Sequence, residues 1–148
     1  VLGVAENYEA KGAPYFDMGG AGIALIDVVR TRKYRCGTWR QSTRHNVYVI
    51  GRNEAGTYFS HCVPKNITSL KEALQWMWQG HAFDIIQRQG DIAKISGKGR
   101  SQKLPFGHKI VNGYIIHDTH PSMKLPNKGE RIIVARRAIP SLFNESRD

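Results

Sequence analysis

Histidines 108, 117 and 120 are the side chains of this sequence best suited to moving a proton near neutral pH. Two of them lie in Ile115-Ile116-His117-Asp118-Thr119-His120-Pro121-Ser122, where an apolar run ends in two imidazoles, a carboxylate and two hydroxyls. An imidazole titrates close to pH 6.5, so a pair can serve as base and acid in one reaction. One ring takes the proton of a ribose 2′-hydroxyl and another returns a proton to the leaving oxygen, which is metal-free RNA cleavage. The same side chains suit a second chemistry, in which His117, His120 and His108 or Asp118 hold a divalent cation that activates water. A third arrangement is non-catalytic: Asp118 orients a ring, Thr119 and Ser122 satisfy a turn, and the imidazoles contact phosphate or solvent. On a helix the spacing of three would put His117 and His120 on one face. The apolar run before them and Pro121 after them argue instead for a strand and then a turn.

Charge says what such a site would meet. The 148-residue chain has a net charge of +10, and it is uneven. Residues 1–29 hold Glu6, Glu9, Asp17 and Asp27 against Lys11, while the other 119 residues hold 21 bases and 8 acids. An excess of this kind attracts polyanions and speeds their encounter with the protein. The candidate nucleic-acid contacts form two groups. Arg30, Arg32, Lys33, Arg35, Arg40 and Arg44 run without an intervening acid and are interleaved with Tyr34 and Trp39. Guanidinium groups pair with phosphate oxygens and exposed aromatic rings stack on unpaired bases. Lys98, Arg100, Lys103 and Lys109 stand among glycines and a proline in residues 96–109, which reads as a flexible basic loop.

The surrounding elements read as a single α+β domain over residues 1–148. Its sheet is mostly antiparallel, with one or two helices in the N-terminal half and a β-rich C-terminal half. Ile23, Leu25, Ile26 and Val29, followed by Arg30–Lys33, fit a short helix with cations at its C-terminus. Residues 46–52 and 57–63 flank Asn53-Glu54-Ala55-Gly56 as a hairpin. Period two then sets Tyr58, Ser60 and Cys62 on one face and Phe59, His61 and Val63 on the other, so His61 reads as a packed, hydrogen-bonded histidine. Ser69-Leu70-Lys71-Glu72 is a capping box opening a helix that carries Leu70, Ala73, Leu74, Met77 and Trp78 on one face and ends near Gly80. Beyond it, strands are expected over 83–86, 92–95, 109–116 (divided at Asn112-Gly113) and 131–135.

Gln89-Gly90-Asp91-Ile92, Gly107-His108, His117-x-x-His120, Leu125-Pro126-x-x-Gly129 and a strand ending in Arg136-Arg137 together resemble a pattern in short uncharacterised bacterial and phage proteins. At the position where that family carries a further histidine, two after the Gly-His step, this chain has Ile110. The resemblance implies that residues 89–137 form one β-rich unit and groups His108 with His117 and His120. Separately, His117-Asp118-Thr119 resembles one half of the two-histidine phosphoesterase signature. Neither His45-Asn46-Val47 nor His61-Cys62-Val63 supplies the second half, because the hydroxyl is missing.

Three functions stay open on these residues. One is a nucleic-acid-binding protein, of RNA or DNA, that cuts the bound strand with its histidine cluster. Another is a non-enzymatic nucleic-acid-binding or assembly protein with structural histidines, homo-oligomers included. The last is a metal-binding hydrolase of another substrate. No run of roughly 18–20 apolar residues suggests a membrane span. Two cysteines outside any CxxC pair and a start without a signal pattern point to a cytoplasmic protein with reduced thiols.

Overall fold

The apolar run that begins at Ile23 is a strand and not a helix. In the computed structural model, which describes residues 23–140, β1 (Ala24–Cys36) and β2 (Thr38–Arg52) form one long antiparallel hairpin turning at Gly37. The expected helix near residues 23–29 and the expected basic stretch 30–44 are both parts of this ribbon. Ile26, Val28, Val29 and Thr31 are β-branched and suit a pleated surface, and Leu25 opposite Val49 supplies a buried cross-strand pair that a lone helix would lack. β3 (Tyr58–Val63) pairs only with Val47–Arg52. Among the described residues, the length from Arg30 to Arg44 therefore extends as a two-stranded ribbon beyond the three-stranded sheet.

α1 (Leu70–Met77) starts where the capping box sets it: the Ser69 hydroxyl accepts from the Glu72 amide at 3.2 Å. It buries Leu70, Ala73, Leu74 and Met77, with the fully buried Trp78, under the inner face of β1–β3. Leu70, Leu74 and Met77 each contribute about 1.5–3 kcal/mol through burial. It is the one α-helix among the described residues. The expected α+β class is thus corrected to a mostly β protein of three antiparallel sheets. The helix was lost to β1, whose apolar spacing fits either period until β2 provides a hydrogen-bonding partner.

The second sheet contains β4 (Ile85–Gln89), β5 (Ile92–Ser96) and β9 (Glu130–Val134). The third contains β6 (Lys109–Val111), β7 (Tyr114–His117) and β8 (His120–Lys124). Asn112 and Gly113, both at positive φ, make the turn that divides the 109–116 run as their residue types predict. The second sheet is covered on both sides. Ala93, Ile95 and Ile133 join the core around α1, while Ile92 and Ile132 pack with Ile115 and Met123 of the third sheet. The segment before β6, expected as a flexible loop, is tied to the second sheet over part of its length. The Gln102 amide donates to the Ile132 carbonyl, Ser101 Oγ accepts from the Ile132 amide, and Gln102 Oε1 accepts from the Val134 amide. Residues 101–104 are thereby laced along β9, and Leu104 packs into the Ile115 cluster.

Candidate active site

β7 and β8 are joined by the two-residue turn Asp118-Thr119, which sets His117 directly opposite His120. The expected turn is present, but Pro121 does not close the segment. It lies within β8, an edge strand, where a missing amide donor is tolerated. The ring centroids of His117 and His120 are 4.9 Å apart, and those of His117 and His108 are 4.7 Å apart. The three rings form a chain of contacts, a row in which His117 touches both others. They line a cavity of about 250 Å³ that also takes Asn53, Phe59 and His61 from the first sheet and Arg88, Gly90 and Asp91 from the second. Phe106 and Arg137 complete its wall.

Hydrogen bonds decide where the protons of this row sit. The buried Gln89 amide donates from Nε2 to the carbonyls of Ile115 (2.9 Å) and Pro121 (2.8 Å), so its Oε1 can only accept, and it does so from His108 Nδ1 at 3.0 Å. In its neutral form His108 therefore carries its proton on Nδ1 and offers a lone pair at Nε2. Burial first, then the neighbouring His117 and His120, holds the His108 pKa below the ordinary histidine value. His117 has the opposite tautomer. The Thr119 backbone N–H donates to its Nδ1 at 3.2 Å, so the neutral ring carries its proton on Nε2. His120 turns Nδ1 to the Glu54 carboxylate, which forms an ion pair with this ring when it carries both protons. Glu54 in turn accepts from the Gly90 amide at 2.6 Å.

Two glycines let the rings approach so closely. A Cβ on Gly90 would lie 2.7 Å from His120 Nε2, and one on Gly107 would lie 2.9 Å from His117 Nε2. Both residues also hold positive φ, a conformation that costs other residues steric energy.

The opposite wall is cationic. Arg88, only 4% exposed, stacks its guanidinium 4.3 Å from the Phe59 ring centroid and donates from Nε to the Gly90 carbonyl at 2.8 Å. Arg137 donates to Asp91 Oδ1 at 2.9 Å and lies 3.3 Å from His61 Nε2. Burial, followed by the charges of Arg137 and Arg88, lowers the His61 pKa to about 4, so this ring is neutral at physiological pH. Burial alone would raise the Asp91 pKa. The hydrogen bond and charge of Arg137 outweigh it and keep the carboxyl below its usual value.

His108, His117 and His120 thus converge as grouped from the sequence, whereas Asp118 is exposed and absent from the lining. Among the described residues no three His, Cys, Asp or Glu side chains are arranged to hold a metal ion. The Thr119 amide at His117 Nδ1 also opposes ligation through Nε2, which would need a proton on Nδ1. Glu54, His61, Arg88, Asp91 and Arg137 were not anticipated as site residues. Gln89-Gly90-Asp91 did carry a signal: Gln89 orients His108, Gly90 makes room for His120, and Asp91 holds Arg137. Of the expected nucleic-acid contacts, Arg30, Arg32, Lys33, Arg35, Trp39, Arg40 and Arg44 lie on the β1–β2 ribbon, whereas Lys98, Arg100, Lys103 and Lys109 are exposed and line no part of the cavity. No protein-family model matches the chain, and no curated protein or solved structure shows significant similarity to it. No helix among the described residues is long and apolar enough to cross a membrane.

Proposed function

We propose that this protein binds RNA and cleaves it by metal-independent acid–base transesterification in the histidine pocket. The observation that carries this reading is the row His108–His117–His120, with a lone pair presented at one end, an N–H in the middle and a carboxylate-backed imidazole at the other. In-line displacement at phosphorus places the attacking and leaving oxygens on opposite sides, so a base and an acid flanking a central donor match its geometry.

In this mechanism His108 Nε2 takes the proton of the 2′-hydroxyl. The 2′-oxygen attacks the adjacent phosphorus, the bond from phosphorus to the 5′-oxygen breaks, and the departing oxygen receives a proton from the His120 imidazolium. The products are a 2′,3′-cyclic phosphate and a free 5′-hydroxyl. Water then opens the cyclic phosphate, with His120 now the base and His108 the acid. His117 Nε2–H donates to a non-bridging oxygen throughout, and Arg137 adds positive charge at the rim.

The test uses labelled RNA, the same sequence as DNA, and RNA carrying a 2′-O-methyl group at the cut site. Cleavage of RNA alone, yielding a cyclic phosphate and persisting in chelator, is the expected result. Cleavage of DNA, or cleavage abolished by chelator, would overturn the mechanism. If wild-type protein binds RNA without cutting it, the histidines have a binding role only.

A further inference from the structure

The cross-strand register divides the β1–β3 sheet into two unlike faces. Residues directly opposite one another share a face, so Tyr34 with Arg40, Arg30 with Arg44, Ile26 with Tyr48, and Arg52 with Tyr58 all lie on the outer one. Arg32, opposite Ser42, belongs to it as well. The outer face therefore holds five arginines and three tyrosines, and none of its positions in β1–β3 is Asp or Glu. Lys33, Arg35 and Trp39 lie on the reverse face, which toward β3 becomes the core-facing side, and Asp27 is there too. Sequence proximity had merged two surfaces.

The outer face has the makings of a binding platform. Arg30 lies directly opposite Arg44, so the register brings two guanidinium side chains together on this face. Beside that pair is an open groove of about 370 Å³, lined by Ile26, Val28, Tyr48 and Ile50 together with the polar Asn46 and Ser60, and edged by the two arginines. A floor of apolar and aromatic side chains with two polar groups, under a guanidinium rim, suits an unpaired nucleotide, whose base packs below while its phosphate meets the rim. A double helix would not use this floor, because its bases are stacked on one another. Tyr58, 78% exposed with the Arg52 guanidinium 5.0 Å from its ring centroid, continues the surface to the β2–β3 turn that carries Glu54 of the pocket.

We infer that the outer face of the β1–β3 sheet is a single-stranded RNA platform that feeds the strand around the β2–β3 turn toward the histidine pocket. The inference rests on the RNA reading above and adds the substrate class and the path. From Arg40 to Arg52 the platform is about 40 Å long at roughly 3.3 Å per residue, so it engages several nucleotides that a dinucleotide cannot reach.

The test compares charge removal from the two faces of the same ribbon in the full chain. The variant Arg30→Ala/Arg40→Ala strips two cations from the outer face, and Lys33→Ala/Arg35→Ala strips two from the reverse face. With a fluorescent single-stranded RNA of roughly 12 nucleotides, the outer-face variant should raise Kd about tenfold or more and the reverse-face variant only a few-fold. Tyr58→Ala should raise Kd about tenfold without altering the salt dependence, because stacking releases no counterions. A duplex of the same length should bind more weakly than the single strand, and dinucleotide cleavage should be equal in all variants and wild type. Equal losses from the two faces, or tighter binding of duplex, overturn the platform while leaving cleavage untouched. If wild type binds the oligonucleotide with the expected face preference but cleaves no dinucleotide, the platform stands and the catalytic reading falls.

Discussion

The histidine pocket and the outer face of the β1–β3 sheet both present nitrogen donors, yet they are built in opposite ways. In the pocket almost every polar side chain is held by another group: Gln89 fixes His108, Thr119 fixes His117, Glu54 faces His120, and Asp91 fixes Arg137. On the outer face Arg30 stands across from Arg44, and Tyr58, whose hydroxyl accepts from Arg52, is largely in solvent. Preorganised groups lose little on reaching a transition state and discriminate by geometry. Cations spread along a ribbon act through summed charge, which is tolerant of position and sensitive to salt. On the proposed function, the difference separates where a strand would be held from where it would be altered.

The contrast can be broken most severely within the ring row. His120→Ala or His117→Ala should reduce RNA cleavage by about 10²–10⁴-fold while changing oligonucleotide affinity little, measured by single-turnover kinetics beside binding. A large loss of affinity with an unchanged cleavage step would erase the distinction between the two regions.

A second effect is on acid stability. The unfolded His61 titrates near the ordinary histidine value of 6.5 and the folded one at about 4. Between those values the unfolded state binds more protons, so stability rises with pH across that window and is lost as pH falls through it. The loss approaches about 3 kcal/mol at roughly 1.4 kcal/mol per pH unit. His61→Gln should flatten the drop in thermal midpoint between pH 6.5 and 4. An unchanged drop would mean that burial beside Arg137 does not govern this ring.

Gln89→Leu removes the donor to the Ile115 and Pro121 carbonyls and the acceptor for His108. It should destabilise the fold by about 2 kcal/mol in denaturant titrations and lower kcat more than it raises KM. No comparable cost is expected for the exposed arginines of the ribbon. Arg30→Ala should leave stability within about 0.5 kcal/mol and reduce the slope of log K against log salt by about 0.7 for single-stranded RNA. A stability loss as large as that of Gln89→Leu would show the ribbon to be a structural element in its own right.

Legibility from sequence followed the range of the interactions. The turn-delimited hairpin ending at Val63, the capped helix and the division at Asn112-Gly113 were readable because each depends on residues within a few positions of one another. The grouping of His108 with His117 and His120 followed from short motifs, and their meeting is achieved by a two-residue turn and a bridging glutamine. The strand identity of residues 24–36 was not readable, because the same apolar spacing serves a helix until a partner strand is supplied. Glu54, His61 and Arg137 could not be assigned to the site by spacing either. Arg137 lies 76 residues from the His61 it touches, and Glu54 lies 36 from the Gly90 amide it accepts.

Sequence by itself determined the basic character of the chain, the residue types of the pocket and the locally encoded turns and caps. Tertiary structure alone decided which nitrogen of each ring bears the proton, and which arginines share a face. Tautomers depend on partners brought in by folding, and a face exists only once two strands adopt a register. That is why the His117–His120 pair, ambiguous as a motif, becomes a donor beside a carboxylate-backed ring once Thr119 and Glu54 are in place.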